Sequence, residues 1–218
     1  MEPNPCWHCG SPAAESLFCR FCNSLQRPTP DYYEFFGFEH QLSLDVEELD
    51  RRFYSLSRRL HPDLFFRAMP REQQFSLEAT AILNDAYRTL RDPVARAEYL
   101  LKELGEDAAQ KRRQDAPPEL LEEVFELNEL LEESRGTENR DREGCPSVDT
   151  PACPESRLQE AHAKFLGLRA EADRELEGLF GQYDRTADRA LLPGIRAVLS
   201  RRRYIHNLIE QLEKELAP

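Results

Sequence analysis

The hydrophobic pattern changes character near residue 31. Before it, prolines, polar residues and four cysteines follow one another without a helical period, which predicts a small module of turns and short strands over 1–30. After it, apolar residues recur at helical spacing and strand-like alternation nearly vanishes. Tyr32–Phe36 reads as a short helix ended by Gly37. Asp45 followed by Glu48 has the form of an N-cap with a carboxylate at the third helical position. Val46, Leu49, Phe53, Leu56 and Leu60 then follow at spacings of 3, 4, 3 and 4, a single buried stripe that Pro62 stops. A second long helix opens near Arg71 and turns Phe75, Ala79, Ile82, Leu83, Ala86, Tyr87 and Leu90 inward. Asp92-Pro93 breaks it, and a shorter helix runs on to Gly105.

Glu106–Ala116 is polar and charged, a linker by composition. Pro117-Pro118 opens a further helix to about Ser134, with Leu120, Val124, Leu127 and Leu131 on its core face. Residues 135–154 mix Gly, Pro, Asp, Asn and charges without period and predict a long loop insertion. Two more helices follow at about 155–182 and 188–216. Pro193 marks either the start of the last one or a kink within it. The fold class is therefore mainly α.

Charge and composition narrow the function classes. Forty-one acidic residues against 29 basic ones leave a net charge of −12, which opposes broad electrostatic binding to nucleic acid or anionic lipid. No apolar run approaches the roughly 18 residues of a membrane span. The first residues resemble neither a signal peptide nor a transit peptide, so the expected location is cytoplasmic, bacterial cytoplasm being favoured over an organelle matrix unless a presequence is missing.

Cys6-Trp-His-Cys9 and Cys19-Arg-Phe-Cys22 are two C-x-x-C pairs nine residues apart. Such a pair sets two sulfurs on one side of a tight turn, and two pairs complete a tetrahedral thiolate shell for one structural zinc ion. A closed shell leaves no position for substrate, and in so short a module the metal would supply folding free energy. A redox-active pair and a mononuclear iron site are the alternatives. His8 is a bystander, and Cys145 and Cys153 read as unliganded surface thiols. Only Arg20 and Arg27 are basic in the first 30 residues, which speaks against a nucleic-acid-binding module.

On the helix before Pro62, Arg51, Arg52, Arg58 and Arg59 lie opposite the apolar stripe. Glu47, Glu48 and Asp50 are the only nearby acids, so the arginines are expected to form a largely uncompensated positive patch suited to an acidic partner. His61-Pro62-Asp63 follows directly. No nucleophile or metal partner accompanies it, so catalysis by His61 is not expected.

The order of short helix, basic helix, HPD turn and long helix over 31–92 resembles a J-domain. That resemblance implies a DnaK-type chaperone as partner, with stimulation of the partner's ATPase. His61, Pro62 and Asp63 would form the contact tip, and Arg51, Arg52, Arg58 and Arg59 would meet the chaperone's acidic side. The segment Leu90-Arg-Asp-Pro93-Val-Ala-Arg96-Ala97-Glu98-Tyr99-Leu100-Leu101 resembles the L-x-x-P-x-x-R-A-E-Y-L-L segment of the HscB family, J-type co-chaperones of iron–sulfur cluster assembly. Some members, notably mitochondrial ones, also begin with a four-cysteine zinc module. The implied organisation is a zinc module at 1–30, a J-domain at 31–106 and an antiparallel three-helix bundle at 107–218. The bundle would bind an IscU-type scaffold protein and bring it to an HscA-type chaperone.

Seven glutamates and no basic residue lie between Pro118 and Ser134. The family's scaffold-contacting positions fall on Leu121, Phe125, Glu126, Glu129 and Glu133. Glu122 stands where the family is usually apolar, and Arg201-Arg202-Arg203 leaves the family's contact aromatic on the last helix without an equivalent. The competing functions are a general J-protein for unfolded clients and a zinc-module nucleic-acid adaptor.

Overall fold

A computed structural model of the chain describes residues 5–12, 16–105, 118–137 and 154–216. The chain divides into two compact units, Met1–Leu104 and Gly105–Pro218.

The first unit opens with two knuckles of the same design. In one, Cys6 N–H donates to Ser11 O (2.8 Å) and Gly10 N–H to Cys6 O (2.9 Å). In the other, Cys19 N–H donates to Ser24 O (3.0 Å) and Asn23 N–H to Cys19 O (2.8 Å). The residue after each C-x-x-C pair, Gly10 (φ 70°) and Asn23 (φ 58°), is left-handed, a conformation open to Gly and tolerated by Asn. In place of the expected short strands there are isolated bridges, Pro5 with Pro12 and Phe18 with Leu25.

Helix α1, Tyr32–Phe36, is capped by the Asp31 carboxylate and closed by Gly37 at φ 71°. Helix α2, Val46–Leu60, starts on Asp45, whose side chain accepts from Glu47 N and Glu48 N. Leu49 and Leu60 are fully buried, but Phe53 and Leu56 are half-buried and Val46 is 37% exposed. The predicted stripe is thus only partly covered. Val46 points about 50° away from the mean direction of the other four.

A 3-10 turn, Pro62–Phe65, leads on towards α3, Pro70–Arg91. The buried row of α3 is Phe75, Ser76, Ala79, Leu83, Ala86 and Leu90; Ile82 and Tyr87 are half-buried at its margins. Asp92 caps α4, Pro93–Glu103. From α4, Arg96 reaches into the core at 4% exposure. Its Nε donates to Leu42 O (2.7 Å) and its Nη1 to Leu90 O (2.5 Å), tying the loop before α2 to the end of α3.

In the second unit a 3-10 turn, Pro118–Leu120, opens α5, Leu121–Thr137, followed by α6, Pro154–Thr186, and α7, Leu192–Leu216. Pro193 stands in the first turn of α7, so it marks a start rather than a kink. The predicted loop insertion 135–154 is shortened at its near end, because α5 continues to Thr137. Residues 138–153, with Cys145 and Cys153, lie outside the described residues, as does the linker 106–116. The core joins Leu120, Leu127 and Leu131 to Leu158 and Phe165 of α6 and to Ile205, Ile209 and Leu212 of α7, with Val124 packed against it. Ion pairs mark the antiparallel registers, Glu126 with Lys164 and Glu133 with Arg157 between α5 and α6 and Asp173 with Arg202 between α6 and α7, where His162 also lies 3.5 Å from Glu213.

Candidate functional site

The Sγ atoms of Cys6, Cys9, Cys19 and Cys22 all lie within 4.8 Å of one another. Cys6 and Cys22 are 3.7 Å apart, Cys9 and Cys19 3.8 Å. A tetrahedral ion with metal–sulfur bonds of about 2.3 Å requires sulfurs about 3.8 Å apart, so the donor set fits such an ion. Burial works against the Cys6 thiolate, but backbone hydrogen bonds at Cys9 and His8 and contacts with the neighbouring sulfurs outweigh it and bring the thiol down to about 6. The buried Gln26 amide also donates to Cys6 Sγ (3.4 Å). His8 is exposed and stands edge-on to Trp7.

The cysteine module is seated on α2 and α3. Leu25 N–H donates to Glu72 Oε1 (3.0 Å), and Trp7, whose Nε1 donates to Leu25 O (2.8 Å), stands edge-on to Phe75. Arg71 lies 5.1 Å over Trp7, and Arg59 lies 4.5 Å over Phe18. These contacts cross long stretches of sequence, and no local spacing announces them.

At the end of α2 the main chain leaves its helical course. Pro62 has no N–H; Asp63 N–H donates to His61 Nδ1 (3.3 Å), and Leu64 N–H to His61 O (2.9 Å). The Leu60 carbonyl loses its helical donors to this turn. Two hydroxyls of α3 replace them, the buried Ser76 Oγ at 2.7 Å and Thr80 Oγ1 at 3.3 Å. Gln73 secures the far side by donating to Phe66 O and Ala68 O, both at 3.1 Å. The tip so held is exposed: the Asp63 side chain is 90% accessible, and Leu64, Phe66 and Met69 are exposed beside it. Ser76, Thr80 and Gln73 escaped the sequence reading. The available signal was a serine within the 3,4-spaced apolar row 76, 79, 83, 86 and 90.

The four arginines do not share one open face. Steps of about 100° per residue set Arg51 and Arg58 roughly a quarter-turn from Arg52 and Arg59. Arg52 and Arg59 line a groove beneath the cysteine module, whereas Arg51 and Arg58 lie on the side of the exposed Tyr54. Two of the four, Arg51 and Arg52, are compensated. Glu48 pairs with both Arg51 and Arg52 at 2.8 Å, which holds its carboxyl below the usual range, with Arg52 the larger cause. Arg52 also donates to Phe36 O (2.9 Å) and Gly37 O (2.6 Å) and stacks on Phe38, so it braces α1 against α2.

On α5, Leu121 and Phe125 are exposed, at 55% and 72%, and Glu129 is exposed nearby. Glu126 and Glu133 belong to the α6 side, through Lys164 (3.1 Å) and Arg157 (2.5 Å). On α7, Arg201 joins Glu119 and Glu175, and Arg202 joins Asp173, so these arginines serve the bundle itself.

Residues 31–99 match the family model described as DnaJ domain. Over 186 residues the chain is 30% identical to the co-chaperone protein HscB homolog of Vibrio cholerae, covering 85% of this chain and 98% of that one. The chain belongs to the HscB family of co-chaperones. It is 27% identical over 219 residues to mouse iron-sulfur cluster co-chaperone protein HscB, covering 98% of this chain and 83% of that protein. The crystal structure of human co-chaperone protein HscB matches with a TM-score of 0.72 at 26% identity, over 97% of this chain and 98% of that one. In this HscB-family chain the HPD turn lies inside the DnaJ match, and the four cysteines precede it.

Proposed function

We propose that this HscB-family chain carries an IscU-type iron–sulfur scaffold protein to a DnaK/HscA-type chaperone and stimulates the chaperone's ATPase so that the cluster is passed on. The observation that carries this reading is the exposed His61-Pro62-Asp63 tip, held by α3 hydroxyls inside a DnaJ domain of an HscB-family chain. Asp63 offers its carboxylate to an arginine of the chaperone, a charge-assisted pairing that Pro62 orients by fixing the turn. Arg51 and Arg58 steer the acidic side of the partner, while Arg52 and Arg59 act from the flank.

On α5, Leu121 and Phe125 form the apolar centre of the scaffold contact, with Glu129 beside them and Glu126 and Glu133, each paired with a cation of α6, at its margin. Cys6, Cys9, Cys19 and Cys22 hold one structural zinc ion, which closes the two knuckles and supplies the module's folding free energy. The chain contributes no catalytic group; the bond-breaking chemistry belongs to the chaperone. Among the described residues no helix is long and apolar enough to cross a membrane. The proposed setting is the cytoplasm or an organelle matrix.

Two substitutions separate the halves of this function. Asp63→Asn abolishes chaperone ATPase stimulation in a single-turnover assay and leaves scaffold capture intact. Leu121→Ala with Phe125→Ala abolishes scaffold capture in a pull-down and leaves basal stimulation intact. Stimulation retained by Asp63→Asn, or equal capture by the α5 double variant, refutes the corresponding half.

A further inference from the structure

The flank of the first unit carries a groove apart from the HPD tip and the α5 face, and Arg52 and Arg59, the flanking arginines of the chaperone contact, also line it. The cysteine module does not close down completely on the helices. An open groove of 1710 Å³ runs between them, lined by Trp7 and Phe18 from the module, Leu56 and Arg59 from α2, and Arg71 and Ile82 from α3. That volume exceeds the roughly 300–1,000 Å³ of small-molecule pockets, so the groove has room for several residues of a peptide.

Its charge is the reverse of the whole molecule's. Arg27, Arg52, Arg59 and Arg71 line it against Glu34 and Glu78, on a chain whose net charge is −12. The two acids already have neighbours, Glu34 accepting from Thr29 (2.9 Å) and Glu78 from Gln74 (2.8 Å). Among the described residues Arg27, Arg59 and Arg71 have no carboxylate partner. Arg59 and Arg71 instead rest on aromatic rings, Phe18 and Trp7. A guanidinium carried on a ring is held in place while its N–H groups remain available to an incoming carboxylate.

We propose that this groove binds an extended acidic segment of a partner protein, its carboxylates meeting Arg59, Arg71 and Arg27 and its apolar side chains resting on Phe18, Leu56 and Ile82. One wall of the groove is the cysteine module, so the site exists only while that module is folded. Trp7, the only tryptophan of the chain, lines it and reports its occupancy.

The test is a titration of the full-length, metal-loaded protein with a short tryptophan-free peptide alternating Glu and Leu, read by Trp7 fluorescence. The expected result is a saturable change. Arg71→Glu, with metal content and far-UV circular dichroism unchanged, weakens it about tenfold or more. Arg27→Glu, which removes no guanidinium from the Trp7 ring, serves as the second variant should Arg71→Glu misfold. An equal response to a peptide alternating Lys and Leu overturns the proposal. So does a response unaffected by whichever folded variant is used, or no response at millimolar peptide. Tighter binding of a single-stranded oligonucleotide than of the acidic peptide assigns the groove to nucleic acid and overturns it equally.

Discussion

The Leu60 carbonyl offers the sharpest test of how the fold holds its HPD tip. Ser76 Oγ donates to it at 2.7 Å from a fully buried position, and Thr80 Oγ1 adds a longer bond at 3.3 Å. Ser76→Ala removes the shorter bond and leaves the acceptor one donor, so the cost is that of a net hydrogen bond, about 1 kcal/mol. In a unit of this size that lowers Tm by about 4–8 °C. Thr80→Val preserves shape and costs about 0.5 kcal/mol. The double variant leaves a buried carbonyl without a donor, which adds about 1–2 kcal/mol beyond the sum of the single changes. Thermal unfolding followed by circular dichroism gives the coupling. Single-turnover ATPase stimulation of a DnaK-type chaperone gives the functional consequence, expected to fall several-fold in the double variant while scaffold capture persists. Additive stabilities, or full stimulation by the double variant, would show that these hydroxyls do not position the turn.

Three further outcomes follow from other contacts. Stripping the metal with a chelator opens the knuckles and releases Trp7 from Phe75, expected as a red shift of tryptophan emission with loss of about one metal ion per chain by elemental analysis. Arg96→Met leaves the Leu42 and Leu90 carbonyls without the guanidinium and costs about 3 kcal/mol, measured as a lower urea midpoint. Glu48, its pKa depressed by Arg52 and then Arg51, contributes stability that is complete above its ordinary value of 4.5 and is lost as pH falls through the lower folded value. The Tm advantage of the wild type over Glu48→Gln should therefore be constant well above pH 4.5 and shrink as the pH falls below that value.

Features written in a few adjacent residues were legible in the sequence. Asp45 as a cap, Gly37 as a stop and Asp92-Pro93 as a break depend on local backbone geometry, and each stands where its residues predict. The two C-x-x-C knuckles were legible because the hydrogen bonds that shape each one close within a six-residue stretch, in the same pattern in both. Contacts between distant segments were not legible. Nothing near Glu72 indicates that its carboxylate receives Leu25 N–H, and nothing near Arg96 points to Leu42. The arginine patch was misjudged for a different reason: a glutamate in the first turn of a helix reaches three and four residues onward, so Glu48 served the dipole and two guanidiniums at once.

The seat of Trp7 bears on how this protein can be cut. Phe75 is buried in part because Trp7 stands against it, and Leu25 closes onto Glu72 alongside. A fragment beginning at Asp31 would keep every helix of the unit yet bare a phenylalanine on a long helix, an invitation to self-association. Anyone trimming the protein to its helical part should pair the truncation with a polar residue at position 75.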